Sequence, residues 1–211
     1  MSGSGVGDVR ELVRVQRGVL GGLVESLDDA EWGRASLCED WSVGDVVAHC
    51  VQSHVATPLV LAREWVTAGF RLAVRNERWV TRWRGRSRGE VVGEYRATAD
   101  RLGFPSAELP YALAEVVVHG YDIAWPLGRG IEASSESLVV VADTCCRTGV
   151  FLHSKQRCAG LALRAGDVEW SSGRGREVTG PLASIVMAIA GRGAALEDLS
   201  GDGVETLRAR L

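Results

Sequence analysis

Tyr111-Ala112-Leu113-Ala114-Glu115-Val116-Val117-Val118-His119-Gly120-Tyr121-Asp122-Ile123-Ala124-Trp125-Pro126-Leu127 carries, tyrosines aside, only three ionisable residues: Glu115, His119 and Asp122. Pro126 and Gly128 stop the pattern, so the spacing predicts a helix from Leu109 to Trp125. At about 100° per residue the three polar groups fall within roughly 60° of one another on its surface. Ala112, Val116 and Ile123 flank them on one side, and Tyr111, Val118 and Trp125 on the other. A helix apolar nearly all round is a buried helix. Unpaired buried charge is expensive, so this polar stripe needs partners. Two readings stay open here. A carboxylate and an imidazole one turn apart can both reach one metal ion. They can equally make an ordinary Glu–His hydrogen bond or a polar contact between helices.

Upstream the chain reads as helices. Asp8 to Leu27 places Val9, Leu12, Val13, Val19, Leu20, Leu23, Val24 and Leu27 at helical spacing, weakened by Gly18, Gly21 and Gly22. Trp41-Ser42-Val43 opens a second helix, with Ser42 or Asp40 as its cap and Pro58 closing or kinking it. A third stretch runs from about Leu59 to Trp83, and a fourth from Glu90 to Leu102, ended by Gly103 and Pro105. On the second helix Val43, Val46, Val47, Cys50 and Val51 form the apolar face, with His54 in its middle. His49 lies opposite, among Ser42, Asp45, Ser53 and Ala56. Periodicity does not choose between His49 and His54 as a ligand. Small neighbours leave room for an ion at His49; the other reading of it is a surface histidine.

Downstream, Ser134 to Leu152 reads as one more helix, and then the pattern changes. Leu161-Ala162-Leu163-Arg164 and Val168-Glu169-Trp170-Ser171 alternate around Gly166-Asp167, a hairpin signal. Glu177-Val178-Thr179 adds a third strand before Gly180-Pro181 starts a helix through Ile189. The expected class is α+β: a helix bundle over residues 6–128 and a small α/β domain over residues 129–211.

Composition narrows the function. With 24 Lys and Arg against 27 Asp and Glu, a net charge of −3 argues against a general nucleic-acid binder. Met1-Ser2-Gly3-Ser4-Gly5 does not read as a secretory signal, and no stretch reaches the roughly 20 apolar residues of a membrane span. Cys38, Cys50, Cys145, Cys146 and Cys158 make an odd count with no CxxC spacing, which fits neither a disulfide framework nor a cysteine zinc site. They read as reduced, mostly buried thiols in a cytoplasmic protein, none in a base-paired, electropositive setting.

Two segments carry a family resemblance. Cys38-Glu39-Asp40-Trp41-Ser42-Val43-Gly44-Asp45-Val46-Val47-Ala48-His49 resembles the metal-binding segment of the mycothiol-dependent maleylpyruvate isomerase family, a branch of the DinB-like four-helix bundles. Glu115-Val116-Val117-Val118-His119-Gly120-Tyr121-Asp122 is similar to that family's Glu-x-x-x-His-Gly-aromatic-Asp segment. Val178-Thr179-Gly180-Pro181, Ala190-Gly191-Arg192 and Leu199-Ser200-Gly201-Asp202-Gly203 resemble its C-terminal domain. The resemblance implies a divalent metal, usually zinc, held by His49, Glu115 and His119, with mycothiol as thiol cosubstrate. Gly44 departs from the pattern, since relatives often carry a larger, commonly basic residue there.

Three ligands with an open position suit catalysis by an isomerase or an S-transferase on a small electrophile. The same site would also suit a hydrolase using water, or a non-catalytic module that only keeps the metal. Asp122 is expected near metal or substrate, and Asp45, one turn before His49, is placed to orient its imidazole. Arg71, Arg75, Arg78 and Arg82 share one helical stripe; Arg78 and Arg82 are its candidates for the anionic part of the thiol, the plain alternative being a solvated face. Arg192 is the second candidate for a substrate carboxylate. His54→Leu should leave the metal content measured by elemental analysis unchanged and alter only thermal stability. Emptying of the site by that substitution, with His49→Ala still loaded, would show the wrong histidine was chosen.

Overall fold

The computed structural model describes residues 6–55, 58–101, 108–149 and 153–211. Their helices are α1 (Val6–Ser26), α2 (Asp29–Trp32), α3 (Val43–Val55), α4 (Pro58–Thr67), α5 (Leu72–Trp83), α6 (Arg88–Thr98), α7 (Leu109–Ala124), α8 (Ser135–Arg147), α9 (Ser154–Cys158), α10 (Leu182–Ile189) and α11 (Val204–Arg208). Between α9 and α10 lie strands β1 (Leu161–Ala165), β2 (Ser171–Gly173) and β3 (Arg176–Gly180). The class is α+β, mostly helical with one small sheet. No helix among the described residues is long and apolar enough to cross a membrane. The chain divides into two compact units: Arg14–Pro105 with Asp122–Ile131, and Met1–Val13 with Ser106–Tyr121 and Glu132–Leu211.

In the first unit α3 packs against α5 and α6. Val43, Val46, Val47 and Val51 of α3 are fully buried, as the period-3.6 pattern requires, and meet a core that includes Trp79, Val80, Val91 and Tyr95. Tyr95 donates its hydroxyl proton to the Arg17 carbonyl at 3.1 Å, and burial pushes its phenol well above the ordinary tyrosine range. Arg17 is itself buried, and its guanidinium donates to the carbonyls of Ala99 (3.3 Å) and Arg101 (2.9 Å), which satisfies acceptors left over beyond the end of α6. Two sequence expectations change. The stretch from Leu59 to Trp83 is two helices, because the chain turns through Gly69 and Phe70, both in the left-handed region at φ 60° and 59°. A short helix unmarked by periodicity, α2, is fixed instead by a capping box between Asp28 and Glu31. Arg129 then clasps Glu31 at 2.7 Å and the Ser26 hydroxyl at 2.8 Å, pinning the turn that follows α7.

In the second unit a hairpin turns at Gly166-Asp167 as expected, but its second strand is Ser171–Gly173 rather than residues 168–171, with Ala162 opposite Gly173 and Arg164 opposite Ser171. β3 pairs with β1 in parallel on the other edge, giving the order β2-β1-β3. Only Arg174 and Gly175 connect the two outer strands, so the chain must pass directly under the start of β1. Gly175 makes the crossing at φ 130°, where an added Cβ would stand 2.0 Å from the Gly160 carbonyl oxygen. Helix α10 is buried nearly all round, as its sequence Leu-Ala-Ser-Ile-Val-Met-Ala-Ile demands, and packs on β1, β3, α8 and α9. The helix expected from Ser134 to Leu152 ends at Arg147, and α9 is separate; residues 150–152 lie outside the described residues.

Gly175→Ala should lower the unfolding free energy by about 1–3 kcal/mol or more, through positive φ and backbone overlap together. On exposed positions of α1, an added Cβ at Gly18 or Gly22 meets nothing within 4 Å. Gly18→Ala and Gly22→Ala should therefore each raise it by about 0.5–1 kcal/mol. Urea titration reads all three, and a Gly175→Ala chain as stable as its parent would refute the crossing.

Candidate metal centre

The approach to α3 is built by a small reversal. Ala35 and Ser42 form an isolated antiparallel bridge, Val43 N–H donates to the Arg34 carbonyl at 2.8 Å, and Ser36 N–H donates to the Trp41 carbonyl at 3.0 Å. Of the two cap candidates it is Ser42 that serves: its hydroxyl accepts from Asp45 N–H at 3.1 Å, while the Asp45 carboxylate accepts from Ser42 N–H at 3.1 Å. This capping box fixes where α3 begins and therefore where His49 stands. Asp45 also takes the Arg84 guanidinium at 3.0 and 3.2 Å, so its carboxylate is committed to the cap and to Arg84 rather than to orienting the His49 imidazole. The paired carboxylates of Asp45 and Glu77 raise the Arg84 guanidinium above its ordinary range. His49 is not a surface histidine: it is 4% exposed, and the Trp41 ring tilts against it at 5.1 Å between centroids.

Helix α7 is buried as its sequence predicts, from Ala112 through Ala124 with Glu115 and Tyr121 half-buried. His119 is 6% exposed and Asp122 has no exposure at all. Each of His49, Glu115 and His119 offers a ligand atom, and these atoms lie within 4.8 Å of one another; the same holds for Cys38, His119 and Asp122. The two sets share His119. Asp122 accepts the Cys38 thiol proton at 3.1 Å, and its carbonyl accepts from Leu37 N–H, also at 3.1 Å. Cys38, read from sequence as having no paired base, has a carboxylate as its hydrogen-bond acceptor. The signal was unreadable because the partner lies 84 residues away.

The remaining candidates are placed as follows. Arg78 donates to the Thr67 carbonyl at 2.7 Å, so it satisfies the end of α4. Arg82 pairs with Glu64 at 2.5 Å and lies over the Trp79 ring. Arg192 donates to the Ala190 carbonyl at 2.7 Å, just after α10. The His54 side chain lies outside the described residues. Two groups escaped the sequence reading: Glu64, only 8% exposed, accepts at 3.3 Å from Gln52, which stands one turn beyond His49. An acidic residue inside the apolar run Pro58–Thr67 was the available clue. At Gly44 the Trp32 indole lies where a side chain would be, 2.2 Å from an ideal Cβ, so this chain fills with tryptophan the space a larger residue would need. Trp32, Gly44, Asp45, Ala48, Trp83 and Arg86 help line a cavity of about 340 Å³ beside this part of α3.

Residues 13–110 match the family model of the mycothiol maleylpyruvate isomerase N-terminal domain, a span that holds His49 and stops short of Glu115 and His119. The resemblance carried by the segment around Trp41 and His49 is thus shown for the N-terminal part. No curated protein matches the sequence. Two solved structures are similar over most of their length: the mycothiol-dependent maleylpyruvate isomerase and a histidine-to-alanine mutant of it. Each is 19% identical, has a TM-score of 0.66, and covers 94% of this chain and 93% of its own. At that identity the likeness is one of fold.

The two overlapping ligand sets are separable. His49→Ala should empty the site while Cys38→Ser leaves it loaded, as read by elemental analysis of folded protein. The reverse pattern would assign any bound ion to Cys38, His119 and Asp122.

Proposed function

We propose that this chain, whose N-terminal part matches the mycothiol maleylpyruvate isomerase domain, is a metal-dependent enzyme. It uses mycothiol to isomerise, or to conjugate through sulfur, a small electrophilic substrate. The observation that supports this best is the convergence of two imidazoles and one carboxylate, with ligand atoms of His49, Glu115 and His119 within 4.8 Å of one another. That donor set fits a divalent ion such as zinc, and three protein ligands leave a position open, as catalytic sites do. A bound ion would supply the charge that keeps a thiol deprotonated, and the thiol would supply a nucleophile able to add reversibly to an activated alkene.

The chain's own residues would do the positioning. Glu115 and His119 are fixed one turn apart on a buried helix, and His49 is fixed by the Ser42–Asp45 cap and the Trp41 ring. Asp122, holding the Cys38 thiol proton in a hydrogen bond to Oδ2, is the proposed positioning group beside His119. Arg192 is the proposed contact for a substrate carboxylate. Arg78 and Arg82 are the proposed contacts for the thiol's anionic part; an anion there would displace the Thr67 carbonyl and Glu64, as one at Arg192 would displace the Ala190 carbonyl.

Purified protein should isomerise or conjugate a cis-alkene dicarboxylate such as maleylpyruvate only with both mycothiol and metal present. His119→Ala should lower kcat/KM by more than about 100-fold, since even groups that only support a ligand are worth 10–100-fold. Turnover that survives removal of the metal would sink the reading. Metal-dependent hydrolysis without any thiol would transfer the site to water chemistry.

A further inference from the structure

We infer that Cys146 and Cys158 form a redox-active dithiol, a site at which a low-molecular-weight disulfide is reduced while α8 becomes covalently joined to α9. Cys146 lies in the last turn of α8, Cys158 is the last residue of α9, and their Sγ atoms are 3.1 Å apart as free thiols. A disulfide requires about 2.05 Å, so the sulfurs need close by only about 1 Å. Both residues are half-buried, which leaves a reagent access that the fully buried Cys145 denies.

The surroundings give the two sulfurs different roles. Hydrogen bonding from Cys158 and Ser172, with the nearby charge of Arg147, holds the Cys146 thiol below the ordinary cysteine range, against burial and Asp143. Cys158, through the same contact with Cys146 and its partial burial, is pushed far up. Cys145, next in the chain, is pushed up to about 12 by burial. The Ser172 hydroxyl and the Arg147 charge beside its sulfur assign Cys146 as the nucleophile and leave Cys158 as the resolving thiol.

The step balances with the disulfide as oxidant. Cys146 Sγ attacks one sulfur of RS–SR, the S–S bond breaks, and one RS⁻ departs, leaving Cys146 joined to SR. Cys158 gives up its proton and attacks Cys146 Sγ, expelling the second RS⁻. The two thiol protons end on two RSH, and two electrons pass from the protein to the reagent. Neither cysteine belongs to a candidate metal set, so this inference stands apart from the proposed activity.

Oxidised glutathione serves as the probe on the intact, folded chain, followed by denaturation, alkylation and peptide mass spectrometry. The expected product is a Cys146–Cys158 cross-link, with alkylatable thiols falling from five to three, namely Cys38, Cys50 and Cys145. Cys158→Ser should trap glutathione on Cys146, whereas Cys146→Ser should leave Cys158 largely unmodified; circular dichroism checks that both variants fold. Failure of the wild-type chain to cross-link, a cross-link between other cysteines, or trapping on Cys158 instead would overturn the assignment.

Discussion

A carboxylate with no solvent exposure, Asp122, is the constraint on which the geometry around His49 depends. An uncompensated buried charge costs several kcal/mol or more, so the chain must bring donors to it. One such donor is the Cys38 thiol, while the backbone N–H of Leu37 closes on the carbonyl of the same residue. That double attachment holds the segment before α3, whose own hydrogen bonds run from Ser36 to Trp41 and from Val43 to Arg34. The segment in turn delivers Ser42 to cap α3, and the cap sets the rotation at which His49 emerges seven residues later. His119 stands three residues before Asp122 on a continuous helix, so its placement follows from the same anchor.

The parts of this arrangement that sequence reveals are the parts set by local period and local chemistry. Helix α7 was legible because an unbroken apolar surface interrupted at one turn's spacing has few other meanings. Its described ends, Leu109 and Ala124, lie within a residue of the reading. The cap at Ser42 was legible as one of two short polar candidates beside Trp41. What escaped were partners distant along the chain and turns without strong punctuation. Nothing near Cys38 announces a carboxylate 84 residues on, and nothing near Gln52 announces Glu64 across a helix break. The later break, between α4 and α5, rests on Gly69 and on Phe70, an aromatic residue in a backbone region it seldom adopts, which no propensity argument would choose. Likewise the strand pattern gave β1 and the turn but set the second strand three residues early, and the parallel pairing of β3 required a crossing of two residues that only the three-dimensional path discloses.

The arginines illustrate how a stripe can be real as a pattern and ordinary in its duties. Arg78 and Arg82 stand on one exposed face of α5, yet each is already engaged, one by a helix-end carbonyl and one by Glu64. An anionic ligand would have to compete with those contacts, and at Arg82 it would leave the buried Glu64 carboxylate without its ion-pair partner. Arg86 differs, stacking 4.2 Å from the centroid of the Trp83 ring at the cavity beside Gly44, with no ion pair among the described residues.

Sulfur chemistry in this chain divides by environment, and the division bears on which sulfur could act at the candidate centre. Cys50 is buried on the apolar side of α3, about 100° round the helix from His49. Cys145 is pushed up by burial and stays a packed thiol. Cys38 shares a candidate ligand set with His119 and donates its thiol proton to the Asp122 carboxylate. The close pair, Cys146 and Cys158, sits on helices that carry none of His49, Glu115 and His119. Cys38 is thus engaged with Asp122 and Cys50 turned into the core, so the proposed reaction at His49, Glu115 and His119 is one in which an external thiol brings the sulfur to an open coordination position.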